Sequence, residues 1–303
     1  MQLRLVPTAL AVAVAVLSSF SCGGPKARDL RVEVPAPEQG MYDLVTTEQI
    51  IEPGEEKMFC TDFVYHGEDA AMWKVDARQG KFGHHVILLG SKKPKPEGTT
   101  YDCTDISTMK DFEPFAIMDL PEGSGTPLPA NKPLVIQMHY VNTSTEPILV
   151  RDVIRIGIKP QSEITRWVAP FGLNIGNFEV PPRAAEFTTT FDCTVKQDAD
   201  LLLLGGHMHE NGMKMFTQLG ADVNSLVTRY QVDAWKPDYR DAPPVELFMS
   251  TPIKVKAGMI LRTSCTWTNS SDKTLTFPHE MCASFGLLAG TKDSWVCNVG
   301  VTE

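Results

Sequence analysis

No stretch of this 303-residue chain carries the apolar period of an amphipathic helix, and that absence limits the fold more than any motif does. After about forty residues the sequence becomes a succession of short runs at strand rhythm. Ile136-Gln137-Met138-His139-Tyr140 alternates, and so does the run from Met259 to Cys265. Between such runs lie Gly, Pro, Asn and Asp, which end strands and make turns. The expectation is an all-β chain of sandwich type. A folded part of this size is large for one core, so two tandem domains are expected. The segment Lys159–Pro170 (KPQSEITRWVAP) reads as their border, giving units 41–165 and 166–303. No repeat of fixed period is visible.

The first 21 residues read as a signal peptide. Arg4 is their only charge, and the apolar run from Ala9 to Leu17 is shorter than the roughly 20 residues a spanning helix needs. Ser19-Phe20-Ser21-Cys22-Gly23 resembles a bacterial lipoprotein cleavage site, with Ser19 where a leucine is usual. Cys22 would then carry lipid, and residues 22–40, rich in proline and charge, would be the tether. The expected place is the cell envelope: an exported lipoprotein, on the outer membrane facing the periplasm or the cell surface. A net charge of −9 with no basic cluster argues against nucleic acid as a partner. It leaves the lipid as the means of membrane contact.

Six cysteines remain: Cys60, Cys103, Cys193, Cys265, Cys282 and Cys297. An even number in an exported chain reads as a disulfide framework, and spacing alone cannot choose among its fifteen pairings. The absence of a CxxC pair disfavours zinc ribbons and thioredoxin-like sites.

Five of the seven histidines fall in three motifs: His84-His85 in GKFGHHVILLG, His139 in LVIQMHYVN, and His207-Met208-His209 in LLLLGGHMHENG. His207 and His209, two apart on an expected strand, present both rings to one face. Adjacent His84 and His85 would face opposite ways on a regular strand; a strand end or a bulge, which Gly83 permits, brings them together. His139 shares its strand face with Gln137 and Val141, opposite the apolar row Leu134, Ile136 and Met138. Each motif alone can also be a solvated strand face. Together with Met281 in FPHEMC they make three imidazoles in one half, and two imidazoles with a thioether in the other. Those sets suit copper, and the soft sulfur suits Cu(I).

The order HH, QMHY, HMHxxG and EMC resembles the copper type II, ascorbate-dependent monooxygenases, the family of peptidylglycine α-hydroxylating monooxygenase and dopamine β-monooxygenase. The likeness covers roughly residues 45–300. It implies two disulfide-stapled sandwich domains of jelly-roll type, each holding one of two copper ions. By matching motif, His84, His85 and His139 would hold the electron-transfer copper, and His207, His209 and Met281 the catalytic one. It also implies the pairs Cys60–Cys103, Cys193–Cys297 and Cys265–Cys282. The activity implied is hydroxylation of a C–H bond of a small molecule or peptide, using O2 and ascorbate or another one-electron reductant.

Where the chain departs from the family is informative. The peptide-hydroxylating branch has an Arg two residues before the HxH motif, and an Asn and a Tyr shortly after the Met ligand. Those positions hold Gly205, Ala283 and Phe285 here. The carboxylate anchors are therefore missing, and C-terminal peptidylglycine is not the expected substrate. Two other readings stand beside the enzyme. One is an envelope protein that buffers or delivers copper on the same scaffold, with Met208, Met213 and Met215 near its histidines. The other takes the histidines as zinc ligands in a hydrolase, with Glu210 as its base, or in a binding module; a Met ligand argues against it. His66 and His279 fall outside both sets, and Trp167, Trp235 and Trp267 read as core or interface. Asn142-Thr143-Ser144 and Asn269-Ser270-Ser271 match the glycosylation pattern.

Overall fold

A computed structural model describes residues 26–115, 118–240, 242–277 and 279–299; the expected signal peptide and Cys22 lie outside the described residues. The chain is all-β. In the first half, β1 (Arg28–Asp29), β2 (Met41–Val45) and β3 (Gln49–Ile51) precede three long strands: β4 (Glu56–Val64), β5 (Ala70–Arg78) and β6 (Gly83–Ser91). The short β7 (Thr100–Asp102) and β8 (Phe112–Pro114) follow. Then come β9 (Ser124–Leu128), β10 (Pro133–Val141), β11 (Ile148–Val150) and β12 (Val153–Pro160).

The second half opens with β13 (Arg166–Ile175), β14 (Glu179–Val180), β15 (Phe187–Thr194), β16 (Ala199–His207), β17 (Gly212–Gly220) and β18 (Val227–Val232). It continues with β19 (Val245–Leu247), β20 (Ile253–Val255), β21 (Ile260–Trp267), β22 (Leu275–Thr276), β23 (Cys282–Ala289) and β24 (Trp295–Val299).

Each half is a sandwich. In the first, the sheet β7-β4-β10-β6-β8 faces β9-β5-β12-β2; in the second, β15-β21-β17-β18 faces β19-β16-β23-β13. The alternation read along the sequence fills the space between layers. Leu134, Ile136, Met138 and Tyr140 of β10 pack with Leu44, Met72 and Ile156 of the facing strands. Phe171, Leu204, Met215, Tyr230 and Trp267 do the same in the second half. Burying each such side chain removes enough apolar surface from water to contribute on the order of 2 kcal/mol. One core draws only on residues up to Ile158 and the other only on residues from Phe171 onward. The turn between β12 and β13 lies within the segment read as the border.

The two halves repeat one topology. The ladder β4-β10-β6 corresponds to β15-β21-β17, β5-β12-β2 to β16-β23-β13, and β3-β11 to β14-β22. Even the loops correspond. After β10, Asn142 donates Nδ2 to the carbonyl of Ile51 and accepts the amide and hydroxyl of Ser144 on Oδ1. After β21, Asn269 donates to the carbonyl of Val180 and accepts the same two groups of Ser271. Both asparagines are buried (0% and 1% exposed), so neither matched triplet is a glycan acceptor in the folded chain. The repeat escapes sequence inspection because its strands share burial rather than residue identity.

The halves are joined as one sheet, since β9 pairs with β5 and also, in parallel, with β13 through Arg166–Ser124 and Trp167–Gly125. The part of the expected tether that is described is docked rather than loose. β1 pairs with β11, Val32 donates its amide to Arg151, and Arg155 reaches back to the carbonyl of Ala36. Three disulfides staple the fold: Cys60–Cys103, Cys193–Cys297 and Cys265–Cys282. Among the described residues no helix is long and apolar enough to cross a membrane.

Candidate metal centres

The first centre is built on β6 and β10. In their antiparallel ladder His139 faces His85, and the next pair is Tyr140 with Gly83, so His84 is the extra residue of a bulge. That bulge turns two adjacent histidines toward one point. The backbone approaches it through Phe82, held at φ 70°, a conformation costly for a bulky residue. Gly83 is required because a Cβ there would collide with the Gln79 side chain. The ligand atoms of His84, His85 and His139 all lie within 4.8 Å of one another.

Hydrogen bonds fix which nitrogen of each ring keeps a lone pair that could take a metal. Nε2 of His139 donates to Glu56 Oε1 at 2.9 Å, and Nε2 of His85 to Gln137 Oε1 at 3.3 Å. With both Nε2 atoms engaged, Nδ1 is the nitrogen each ring has for a ligand bond. Burial depresses His85 to about 3, and His139 next to it adds to the effect. His139 is lowered too, again by burial. Neutral rings with a lone pair are what a metal requires.

Behind these ligands, Gln79 Nε2 donates to the carbonyl of His85 at 2.8 Å, to that of His139 at 3.4 Å and to Asp152 Oδ2 at 3.2 Å. The fully buried Asp152 also accepts Tyr140 Oη and the Gly80 amide. Burial pushes Asp152 up to about 6. Gln79, Glu56 and Asp152 are scattered along the sequence, and no motif marks them.

The second centre lies on β16 and β23. His207 pairs with Ala283 across the ladder, and Met281 lies two residues before Ala283, just outside the strand. The rings of His207 and His209 are 5.1 Å apart. Nδ1 of His209 donates to the His279 carbonyl at 3.1 Å. A carbonyl only accepts, so Nε2 carries the lone pair. The His279 side chain itself is exposed. His207 is held down to about 3, first by burial, then by His209, with His85 and Arg240 contributing. Those last two causes place the histidine sets of the two halves within electrostatic reach of each other.

Arg240 stands between them, on a 3-10 turn at Pro237–Arg240. Its Nη2 donates to Nδ1 of His84 at 2.8 Å and also contacts His84 Nε2, while Nη1 pairs with Glu210 at 3.4 Å. Glu210, the candidate hydrolytic base, is thus an ion-pair partner. Met208 and Met215 are fully buried core residues, which takes them out of any methionine-rich copper patch. His66 pairs with Glu97 on the surface.

Gly205, two residues before His207, is covered. A Cβ there would lie 2.5 Å from Cζ of Phe285 and 3.0 Å from Cγ1 of Val245. Any side chain at position 205 would have to displace that aromatic ring. By type the donors suit copper: three imidazoles that meet in the first centre, and in the second two imidazoles, with a thioether just before the strand that pairs with theirs.

No family model and no curated protein matches the chain. Among solved structures, one of the infectious bursal disease virus Gx strain is 9% identical, covers 82% of this chain and 70% of that one, and has a TM-score of 0.24. A crystal structure of PBCV-1 VP54 fitted into a reconstruction of the virophage Sputnik is 8% identical, covers 85% and 95%, and scores 0.21. Likeness at that level carries no argument about function.

Proposed function

We propose that the chain is a copper-dependent monooxygenase with two metal sites, anchored to the cell envelope through a lipid on Cys22. The observation that carries this reading is the meeting of His84, His85 and His139 within 4.8 Å, beside a second set of different softness. His84, His85 and His139 would hold the electron-transfer copper; His207, His209 and Met281 would hold the one at which chemistry occurs. Copper bound there would supply one-electron redox chemistry toward O2. The overall reaction takes a substrate C–H bond, O2, two electrons and two protons to C–OH and water, with ascorbate or another one-electron reductant as the electron source.

The residues have separable tasks. Glu56 and Gln137 orient His139 and His85, and the Gln79–Asp152 network holds the backbone of both. Gly205, Ala283 and Phe285 line the face of the sheet next to His207 with groups that offer no cation or hydroxyl. None of the three would pair with a peptide carboxylate, which supports a substrate of another kind.

The test is copper per chain in a soluble form lacking residues 1–22, followed by a screen for O2-dependent hydroxylation coupled to reductant use. Two copper ions are expected, falling to about one in Met281→Ala and in His139→Ala, with turnover lost in both. Hydroxylation retained by Met281→Ala would overturn the site assignment. The second reading, a copper-buffering or delivery protein, draws on the missing substrate anchors. It predicts two bound copper ions with no coupled hydroxylation of any substrate.

A further inference from the structure

One carboxylate outside both ligand sets is tied to the second of them more closely than any other group. Glu280 is completely buried. Its Oε2 accepts the backbone amide of His209 at 3.1 Å, the indole N–H of Trp267 at 2.9 Å and the amide of Met281 at 3.4 Å. Its Oε1 accepts the amide of Asn211 at 2.9 Å and the Nδ2 of the same residue at 3.0 Å. Five N–H donors from three chain segments converge on a single side chain. Two of them belong to the backbone of His209 and Met281.

That arrangement answers a structural problem. β16 ends at His207 and β23 begins at Cys282, so His209 and Met281 both lie beyond the last ladder bonds. Without a ladder, nothing in the sheet sets the distance between the imidazole and the thioether. A shared acceptor does. Glutamate is required because every partner is a donor. Glutamine would replace one oxygen with an NH2 group, and at either position that group would meet at least two N–H groups head on. Aspartate is a methylene too short to serve the same donors from the same backbone position.

We propose that Glu280 is the positioning residue of the second metal site, fixing His209 and Met281 at the spacing at which they close on one copper ion. The proposal rests on the reading of His207, His209 and Met281 as ligands. Glu280 acts through the backbone of those residues and touches no reacting atom. Buried partners of this kind typically change metal affinity by about 10- to 100-fold when altered.

The experiment is a site-resolved copper titration of the soluble chain, comparing the parent with Glu280→Gln, Glu280→Asp and Trp267→Phe. Cu(I) affinity is read by competition with a chromophoric chelator, and the sulfur contribution of Met281 by X-ray absorption. In Glu280→Gln the second ion is expected to bind at least tenfold more weakly, with the sulfur signal diminished and the first ion unaffected. Glu280→Asp should recover part of the affinity. Trp267→Phe removes one of the five donors and leaves the carboxylate, so it should keep the fold and lose less than Glu280→Gln. It serves as the readable variant if Glu280→Gln does not fold.

Unchanged second-site affinity and an unchanged sulfur signal in a folded Glu280→Gln, or in Trp267→Phe if only that variant folds, would overturn the positioning role while the copper reading stands. So would equal weakening at both sites, since that reports general loss of structure. A parent chain that binds no second copper overturns both.

Discussion

Replacing Gly205 with alanine should disturb the second half out of proportion to one methyl group. The added Cβ would sit 2.5 Å from Cζ and 2.6 Å from Cε2 of Phe285, and 3.0 Å from Cγ1 of Val245. The ring cannot stay where it is, and overpacking of this kind costs about 1–3 kcal/mol. Phe285→Ala removes a half-buried ring and should cost about 1–2 kcal/mol, below the range for a fully buried phenylalanine. In that background only Val245 Cγ1, at 3.0 Å, still crowds the alanine. Gly205 is not among the residues with positive φ, so the roughly 0.4–1 kcal/mol gained through the unfolded chain should then offset the remaining contact with Val245 and leave the substitution close to neutral. The double-mutant cycle therefore predicts a coupling of about 2 kcal/mol between positions 205 and 285. Urea unfolding of the metal-free parent, both single variants and the double variant measures it. Additivity within about 0.5 kcal/mol would show that Phe285 does not occupy the space over Gly205. The account of how this site differs from a carboxylate-binding one would fall with it.

Other expectations follow from the same contacts. Arg240→Ala should tighten copper binding at the first site a few-fold, because it removes a cation that donates to His84 where a second cation is to bind; weaker binding in a copper titration would refute this. His85 is depressed from 6.5 to about 3, so the unfolded chain takes up its proton first. The stability of the metal-free chain should therefore be full above about pH 6.5 and fall as pH drops toward 3. Denaturant midpoints across that range should show a flatter curve for His85→Gln. Asp152, raised to about 6, acts in the opposite sense, contributing below the usual carboxylate range and losing its contribution as pH rises to about 6. Removing Cys265–Cys282 as paired alanines opens a 17-residue separation and should cost about 3 kcal/mol by chain entropy. Thermal unfolding would read that cost, with copper loss confined to the second site.

The sequence read well wherever one residue type at one spacing had one physical meaning. Alternating runs named β10 and β21, since period two admits only a strand with one face toward the core. His84 and His85 called for a strand end or a bulge, because two neighbouring rings cannot otherwise share a target, and the structure has the bulge that Gly83 permits. What stayed hidden was whatever depends on residues meeting from far apart. Glu56 is 83 residues from the His139 it orients, and Gln79 braces two ligand strands with nothing in its neighbours to announce it. Glu280 could have been suspected from its place beside Met281. Its role appears only when Trp267 and Asn211 are seen to point at it. The buried Asn142 and Asn269 show the opposite failure, a pattern matched correctly whose meaning depended on exposure.

The correspondence between the halves has a historical consequence. Counting back three residues from the loop asparagine reaches His139 in one half and Thr266 in the other. The strand that carries His207 and the one that follows Met281 have counterparts, β5 and β12, that bear no such histidines. A duplicated ancestor with a metal already in place would have handed both descendants the same furnished wall. Here each copy is furnished on the wall its sibling left bare. If the halves arose by doubling of one sandwich, their histidine sets fall on non-equivalent strands of it, and neither set is a copy of the other.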